Sequence, residues 1–367
     1  MNKNKLYISE LDGLRALAIL SVLAVHAGTP GFKFGWLGVD LFFALSGFLI
    51  TTLLLNEFSS QGKIGLRNFW IRRFLRLMPV YMLYALFVSM GIWLWEGSII
   101  QEHGGWSPLE YTLSLWLYVI NYAPKGGIWN GQDITIHLWS LAVEEQYYLV
   151  WPLIMAAFIS CALYLRIATW TLFIAVLSYF VFFANSFEQA NMLYARGMSL
   201  FLASAVAVSL HNSQDTFWLS FRKWLEVNVN FLFILAIIST ILVSFALEKN
   251  LMTKINVIAY ILPLINFIFV LLVAAIWYSG DKKYCFNILN QPILVYIGKI
   301  SYGIYIYHEL VRVLTWHLTD DLVAGWGQYS AYGFRLSAYV ALTILLATFS
   351  YYAFERKFLR IKRRYRL

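Results

Sequence analysis

Apolar segments of about 20 residues recur along this chain, and no other feature constrains its fold as strongly. A helical segment of that length matches the hydrocarbon thickness of a bilayer. Only 13% of the residues are charged and 60% are hydrophobic, whereas soluble domains carry about 25% charged residues. The sequence therefore predicts an all-α integral membrane protein.

Ten segments have the length and apolarity of a membrane span. They are 11–27, 36–56, 77–95, 137–160, 167–184, 194–211, 230–247, 257–279, 291–311 and 333–354. An eleventh apolar segment, 109–121, is short and is predicted to be re-entrant or interfacial. No hydrophilic stretch is long enough for an appended soluble domain, so we expect a single transmembrane domain over residues 1–367.

The basic residues indicate how these spans are oriented. Lys and Arg concentrate in segment 63–76 and in the tail 356–366, whereas the loop 96–136 carries four acidic residues and one lysine. Cytoplasmic loops of membrane proteins carry an excess of Lys and Arg, so we expect both termini to be cytoplasmic. These loops account for the net charge of +9, which therefore gives no reason to expect a nucleic acid as partner.

The first predicted span carries two polar side chains, Arg15 and His26, eleven positions apart. That spacing is about three helical turns, so both side chains share one face, about 16 Å apart along the axis. Two interpretations are open. In the first, the Arg15 side chain extends to the inner headgroups and His26 lies at the outer interface. In the second, both side chains line one polar lumen, because charged groups within spans usually face the bundle interior or a water-filled cavity.

Asp40 is a lone carboxylate within the apolar stretch GWLGVDLFFALSG, residues 35–47. It lies about one turn from the outer end of its span, at the depth predicted for His26. As a helix-start residue it would favour the helix dipole. As a partner of His26 it would orient the ring and make the other ring nitrogen a better base. In that second case Gly35 and Gly38 are expected to let the two helices approach closely.

Arg73 and Arg76 are three residues apart near the start of the third span and therefore face the same way on a helix. The arginine fork suits phosphate. An anionic cytoplasmic ligand is one interpretation of this pair, and an ordinary positively charged inner loop is the other.

Two more spans carry polar stripes at helical spacing. The stripe of the fourth span contains His137, Ser140, Glu144, Tyr148 and Trp151. Of the adjacent Glu144 and Glu145 we expect only Glu144 to face this stripe. The stripe of the ninth span contains Ser301, Tyr305, His308 and Arg312, for which an interfacial tyrosine belt is the alternative. At the end of the last span we expect Glu355 and Arg356 to form a salt pair.

Five of these stretches, taken together, resemble the membrane-bound acyltransferase-3 family, the bacterial O-acyltransferases of surface polysaccharides. They are SELDGLRALAILSVLAVHAG, GWLGVDLFFALSGFLI, WIRRFLRLMP, LWSLAVEEQYYLVWPL and GKISYGIYIYH. They occur in the family's order and extend from residue 9 to about residue 355. The chain resembles the stand-alone branch, which has no appended hydrolase-like domain.

The resemblance implies a ten-helix, multi-pass protein of the bacterial inner membrane. It implies transfer of an acyl group, usually acetyl, from cytoplasmic acetyl-CoA to a hydroxyl of a cell-surface or lipid-linked saccharide. In this family His26 would be the catalytic base, and Arg15, Arg73 and Arg76 would serve CoA binding or acyl transfer. Glu144 would be a further site residue.

Together with the residue patterns, the resemblance assigns Asp40 to the catalytic group and Tyr305 and His308 to the bound substrate. We expect no metal, because Cys161 and Cys285 offer no metal-ligand spacing. A transporter or flippase for a lipid-linked sugar is the alternative function. It too would need charges within the membrane and an aromatic-lined cavity, but it would not turn over acetyl-CoA.

Overall fold

The computed structural model describes residues 7–94, 107–122, 134–183, 196–211, 213–251, 257–279 and 284–365. Every regular element in these ranges is helical, as the sequence predicts. The α-helices are α1 Ser9–His26, α2 Leu37–Gln61, α3 Leu66–Leu94, α4 Pro108–Trp116, α5 Trp139–Phe158, α6 Ala162–Phe183, α7 Met198–Leu210, α8 Thr216–Val227, α9 Val229–Glu248, α10 Leu262–Tyr278, α11 Tyr284–Leu289, α12 Pro292–Thr319, α13 Gln328–Ser350 and α14 Arg356–Lys362.

Within these ranges, four helical stretches are long and apolar enough to cross a membrane. They are Leu37–Gln61, Leu66–Leu94, Val229–Glu248 and Gln328–Lys362. The stretches Leu163–Tyr179, Met198–Leu210 and Leu262–Tyr278 are apolar but shorter. Large apolar side chains stay exposed along α9, and such a surface fits contact with lipid. The membrane-type fold is therefore confirmed.

Several helix boundaries differ from the predicted spans. α3 begins at Leu66 rather than at 77, and α12 continues to Thr319 rather than ending at 311. Both extensions contain charged residues, which the apolarity criterion rejects but which a helix tolerates where it leaves the hydrocarbon. Most of the loop 96–136 lies outside the described residues.

The short apolar segment predicted over 109–121 forms α4, which begins with a capping box. The Ser107 hydroxyl accepts from the Glu110 backbone N–H at 3.2 Å, and the Glu110 carboxylate accepts from the Ser107 N–H at 2.7 Å. These hydrogen bonds hold the pKa of Glu110 below its ordinary value. The helix therefore starts where its own sequence satisfies the first backbone donors.

The chain divides into two compact units. The first comprises Met1–Leu66 and Tyr147–Lys299, and the second comprises Arg67–Gln146 and Ile300–Leu367.

In the first unit, glycines allow α1 and α2 to pack at close range. A Cβ atom on Gly35 would overlap the carbonyl oxygen of Ser21, and one on Gly38 would overlap that of Ala18. The predicted close approach through these two glycines is confirmed. Every residue of α7 is buried, because this helix packs against α2, α6 and α10.

In the second unit, tyrosine hydroxyls join separate segments through backbone carbonyl oxygens. Tyr81 donates to Leu115 O at 2.8 Å, and Tyr302 donates to Leu77 O at 2.7 Å. A buried tyrosine supplies a large apolar ring and needs one partner for its hydroxyl. These contacts position α3, the helix that carries Arg73 and Arg76.

Candidate active site

His26 is the last residue of α1 and is half-buried. Its Nδ1 lies 2.8 Å from the carbonyl oxygen of Val22, one turn earlier in the same helix. A carbonyl oxygen can only accept, so this hydrogen bond places a proton on Nδ1 and leaves the lone pair of the neutral ring on Nε2. The backbone of α1 therefore prepares His26 to accept a proton at Nε2.

Asp40 lies in the first turn of α2 and is fully buried. The predicted contact between Asp40 and His26 is wrong. Oδ2 of Asp40 accepts from Nη2 of Arg196 at 2.7 Å, and Oδ1 has no hydrogen-bond partner among the described residues. The physical reason is charge: a buried carboxylate needs an opposite full charge, which a guanidinium supplies and a neutral imidazole does not.

Other side chains of the first unit complete the surroundings of this ion pair. Ser199 donates its hydroxyl to the carbonyl oxygen of Asp40 at 3.1 Å. The Arg196 guanidinium lies 5.1 Å from the centre of the Trp36 ring, within the range of a cation–π interaction. The buried amide of Asn266 lies beside the Asp40 carboxylate.

Arg15 forms an ion pair with Oδ1 of Asp12, three residues earlier on α1. The other oxygen of Asp12 accepts from the Tyr7 hydroxyl. Asp12 is buried, and its carbonyl oxygen packs against Gly298, where a Cβ atom would overlap it. Part of the Arg15 charge is thus balanced within its own helix. The role of Arg15 in CoA binding or acyl transfer stays a prediction.

In the second unit, each arginine of the Arg73/Arg76 pair interacts with a carboxylate from another helix or turn. Glu145 of α5 interacts electrostatically with Arg73. Glu355, in the π-helical turn after α13, interacts with Arg76. We call Arg73, Arg76, Glu145 and Glu355 the arginine–carboxylate cluster. Both guanidinium groups therefore lie in the electrostatic field of a carboxylate.

Glu355 is buried, accepts from the Ser350 hydroxyl at 3.3 Å, and lies against Gly303. The predicted salt pair between Glu355 and Arg356 is therefore wrong, because Arg356 lies over the Tyr352 ring instead. The buried carboxylate faces the interior arginine, whereas the next residue on the helix is turned about 100° away and is exposed.

Glu144 and Glu145 are both half-buried, and both interact electrostatically with Tyr302. The expectation that only Glu144 faces the interior is wrong. Neighbouring helical residues are about 100° apart, and a helix with interior on more than one side accommodates both. The functional role predicted for Glu144 stays a prediction.

Tyr305 and His308 belong to a second polar group of the same unit, which we call the histidine cluster, His137, Ser140, Tyr305, His308, Glu309 and Arg312. The Tyr305 hydroxyl donates to His137 O at 2.9 Å and also bonds Ser140 Oγ. The rings of His137 and His308 lie 4.7 Å apart. The polar stripes predicted for the fourth and ninth spans therefore meet here.

His308 and Glu309 are fully buried. Nδ1 of His308 lies 2.7 Å from Tyr305 O, so the neutral ring carries its lone pair on Nε2, 3.6 Å from Glu309 Oε1. Arg312 holds the other carboxylate oxygen of Glu309 through Nε at 2.8 Å and Nη2 at 2.7 Å. This two-pronged bond fixes Glu309 beside His308. The substrate-binding role of Tyr305 and His308 stays a prediction.

Sequence reasoning missed Arg196, Asn266, Glu145 and Glu309 as site residues. Arg196 lies in the predicted span 194–211, and the rule that singled out Arg15 as a charge inside a span applies to it equally. Glu309 follows His308 directly. It was missed because only one face of that helix, the one with Tyr305 and His308, was considered as a functional surface. Asn266 carries no charge and gave no signal.

The comparison with known protein families assigns the chain to a family. A family model described as an acyltransferase domain matches residues 8–355. The chain belongs to this acyltransferase family. The matched region includes every candidate residue from Arg15 to Glu355, and the resemblance identified from the sequence motifs is confirmed.

Proteins named as O-acetyltransferases, several of them putative, are similar to this chain. It is 28% identical to the peptidoglycan O-acetyltransferase OatA of Listeria monocytogenes over 318 residues, covering 84% of this chain and 50% of the relative. It is 28% identical to a putative O-acetyltransferase of Staphylococcus aureus over 371 residues, covering 97% of this chain and 58% of the relative.

A third relative, the putative peptidoglycan O-acetyltransferase YrhL of Bacillus subtilis, is 35% identical over 153 residues, covering 41% of this chain and 24% of the relative. The chain spans about half the length of the curated relatives it matches. No solved structure matches it.

Proposed function

We propose that this protein is a membrane O-acyltransferase that moves an acetyl group from cytoplasmic acetyl-CoA to a hydroxyl of a cell-envelope saccharide. Membership of the acyltransferase family supports acyl transfer. The observation that carries the catalytic assignment is the hydrogen bond between His26 Nδ1 and Val22 O, which leaves Nε2 as the basic nitrogen.

In the proposed reaction, His26 Nε2 removes the proton of the acceptor hydroxyl as the hydroxyl oxygen attacks the thioester carbonyl carbon. The carbon–sulfur bond then breaks, and the leaving CoA sulfur takes the proton from the imidazolium. The products are the acetyl ester and free CoA, and His26 returns to its neutral form. This chemistry needs a neutral base with a fixed tautomer, which α1 provides.

We assign acetyl-CoA as the donor because the family motifs contain three cations, Arg15, Arg73 and Arg76, and arginine suits the phosphates of CoA. Arg73 and Arg76 lie on one face of α3, where they suit two phosphate oxygens. The carboxylates of Glu145 and Glu355 interact with them electrostatically. In this proposal Glu144 is a further group of the same region, and Asp40 acts by fixing α2 through Arg196.

The acceptor is assigned to the cell envelope because two of the relatives are named as peptidoglycan O-acetyltransferases, one of them putatively. We propose a peptidoglycan, polymeric or lipid-linked saccharide, with Tyr305 and His308 as its contacts. Membrane lipid surrounds the protein in this proposal. The full layout has ten spans in the bacterial inner membrane with both termini in the cytoplasm, in accord with the distribution of Lys and Arg.

The test is acetyl-CoA turnover by purified protein in detergent with a saccharide acceptor. His26→Ala should lower kcat/KM by about two to four orders of magnitude, the contribution usual for a general base. His211→Ala is the matched control, because His211 bonds Ser59 at the end of α7 and has no assigned role. Equal activity in both variants would remove His26 as the base. Wild-type protein that never consumes acetyl-CoA would favour the transporter alternative.

A further inference from the structure

The chain continues past Glu355 with a strongly basic segment, which we call the basic tail, residues 356–364. It contains six basic and no acidic residues, namely Arg356, Lys357, Arg360, Lys362, Arg363 and Arg364. None of the α14 residues is buried, and Arg356, Lys357, Arg360 and Arg364 are exposed. A cytoplasmic loop needs an excess of positive charge for orientation, but this density exceeds what other loops of the chain carry.

The basic tail extends beyond the apolar layer. The helical stretch Gln328–Lys362 has 35 residues, which at 1.5 Å per residue is about 52 Å. The hydrocarbon core is about 30 Å thick, and the headgroup layers bring the total to about 40–45 Å. A helix of this length that spans the bilayer extends into or beyond the headgroup layer, and its charged end, the basic tail, is the part suited to that environment.

The two residues that flank the basic tail, Glu355 and Tyr365, both interact with α3. At its start, Glu355 interacts electrostatically with Arg76. At its finish, the carbonyl oxygen of Tyr365 accepts from Nη1 of Arg72 at 3.0 Å. Arg72 and Arg76 flank Arg73 within little more than one helical turn. The basic tail is thus held beside the face of α3 to which we assign the phosphates of the donor.

The charge balance shows why a second basic element is needed there. Acyl-CoA carries a diphosphate and a 3′-phosphate, about four negative charges near neutral pH. Arg73 and Arg76 supply two positive charges on α3, fewer than the negative charges of the donor. The basic tail contains no acidic residue and brings six further basic side chains to the same end of α3.

We propose that the basic tail completes the acyl-CoA site, with Lys357, Arg360 and Arg364 contacting the 3′-phosphate end of the donor. This inference rests on the proposed function, since it assumes acyl-CoA as donor. A phosphate of an anionic lipid headgroup has the same chemistry. The tether to Arg72 and Arg76 favours the donor, because it places the basic tail beside the assigned phosphate site.

The test uses the triple variant Lys357→Gln/Arg360→Gln/Arg364→Gln, which keeps Tyr365 and Arg72 intact. The matched control is Lys63→Gln/Lys223→Gln/Lys249→Gln, which removes the same charge from three exposed positions elsewhere. The KM for acetyl-CoA should rise at least about tenfold in the tail variant, because charge-assisted phosphate bonds are lost. The kcat at saturation and the KM of the control should be unchanged.

A second donor identifies the contacted phosphate. With 3′-dephospho-acetyl-CoA, wild type and tail variant should have nearly the same KM, because the phosphate that the basic tail contacts is absent. A tail variant with wild-type KM for both donors would overturn the proposal. So would a defect that appears only in vesicles containing phosphatidylglycerol and not in detergent, because it would assign the basic tail to lipid headgroups.

Calorimetric binding of CoA separates this inference from the proposed function. If the wild type and the tail variant bind CoA with equal affinity, the basic tail is not part of the site, and the proposed function is unaffected. If the wild type neither binds CoA nor consumes acetyl-CoA, both the proposed function and the role of the basic tail are contradicted. Equal thermal unfolding temperatures of the tail and control variants establish that the comparison is between folded proteins.

Discussion

Asp40 and Arg196 form an ion pair from which water is excluded on both sides, with side-chain exposures of 0% and 3%. Such a pair contributes little net stability over an apolar pair of the same volume, but loss of one partner leaves an uncompensated buried charge. The pair joins α2 to the residue two positions before α7, elements 156 residues apart in sequence. We therefore assign Asp40 to structure, next to the helix that carries the proposed base.

This assignment predicts a specific pattern of stability. Arg196→Gln should destabilise the folded protein by about 3–5 kcal/mol, because Asp40 loses its compensating charge. The double variant Asp40→Leu/Arg196→Met removes both charges and should recover most of that loss. Thermal unfolding in detergent measures both effects. Additive losses in the double variant would show that the two side chains do not act as a pair.

At the residue scale, sequence reasoning can reach only contacts between residues close in sequence, and the roles predicted for His26 and Arg15 stay predictions. His26 receives its tautomer from Val22, four residues away, and Arg15 its partner from Asp12, three residues away. It failed for Asp40, whose partner is distant in sequence and is set by packing. The predicted depth of Asp40 in the membrane concerns one dimension, whereas a contact with His26 requires all three.

At the scale of helices, most elements could be predicted because length and apolarity are local properties of a span. The helices that were missed, α8, α11 and α14, are short or charged, and α8 is amphipathic rather than apolar. Tertiary contacts define such elements more than their own hydropathy does. The α1–α2 packing was predictable because glycine at helical spacing is a local signal of close approach.

The glycine contact can be tested directly. A Cβ atom on Gly38 would overlap the Ala18 carbonyl oxygen, a backbone atom that cannot rotate away. Gly38→Ala should therefore destabilise the protein by about 1–3 kcal/mol, the usual cost of overpacking. Gly333→Ala on α13 meets nothing within 4 Å, so it should be neutral or stabilise by up to about 1 kcal/mol. Equal unfolding temperatures of the two variants would contradict the close contact.

α8 is predicted to lie in the membrane interface with an aromatic edge toward lipid. Phe217, Phe221 and Trp224 fall within about 60° on the helical wheel, and adjacent rings stack with centroids 6.2 and 6.0 Å apart. Lys223 lies on another side and is exposed. A single residue, Asn228, separates α8 from the membrane-type helix α9, which places α8 at the end of a span.

Spin labels test this orientation in a background without Cys161 and Cys285. A label at Phe217→Cys should collide mainly with dissolved oxygen, which concentrates in lipid. A label at Lys223→Cys should collide mainly with a water-soluble nickel chelate. Both positions are exposed in the first unit, so a difference in collision rates between the two labels cannot come from burial within the protein. The same accessibility at both positions would contradict an interfacial helix.

At the scale of the whole molecule, orientation follows from where the charges lie along the chain rather than from any single contact. The ten-span layout places Lys63 and Lys223 on the cytoplasmic side and Tyr329, in the first turn of α13, on the outer side. Intact cells treated with a membrane-impermeant maleimide should therefore label Tyr329→Cys and should not label Lys63→Cys or Lys223→Cys. The background again lacks the two native cysteines.

Exposure within the protein does not account for the expected difference, because Tyr329 is 89% exposed and both lysines are also exposed. A membrane-permeant maleimide, or the impermeant reagent after cell lysis, should label all three variants and so confirm that each thiol reacts. Labelling of Lys63→Cys in intact cells would show that the orientation in the membrane is opposite to the predicted one. It would also place Arg73, Arg76 and the basic tail on the side without CoA, and so would contradict acetyl-CoA as the donor.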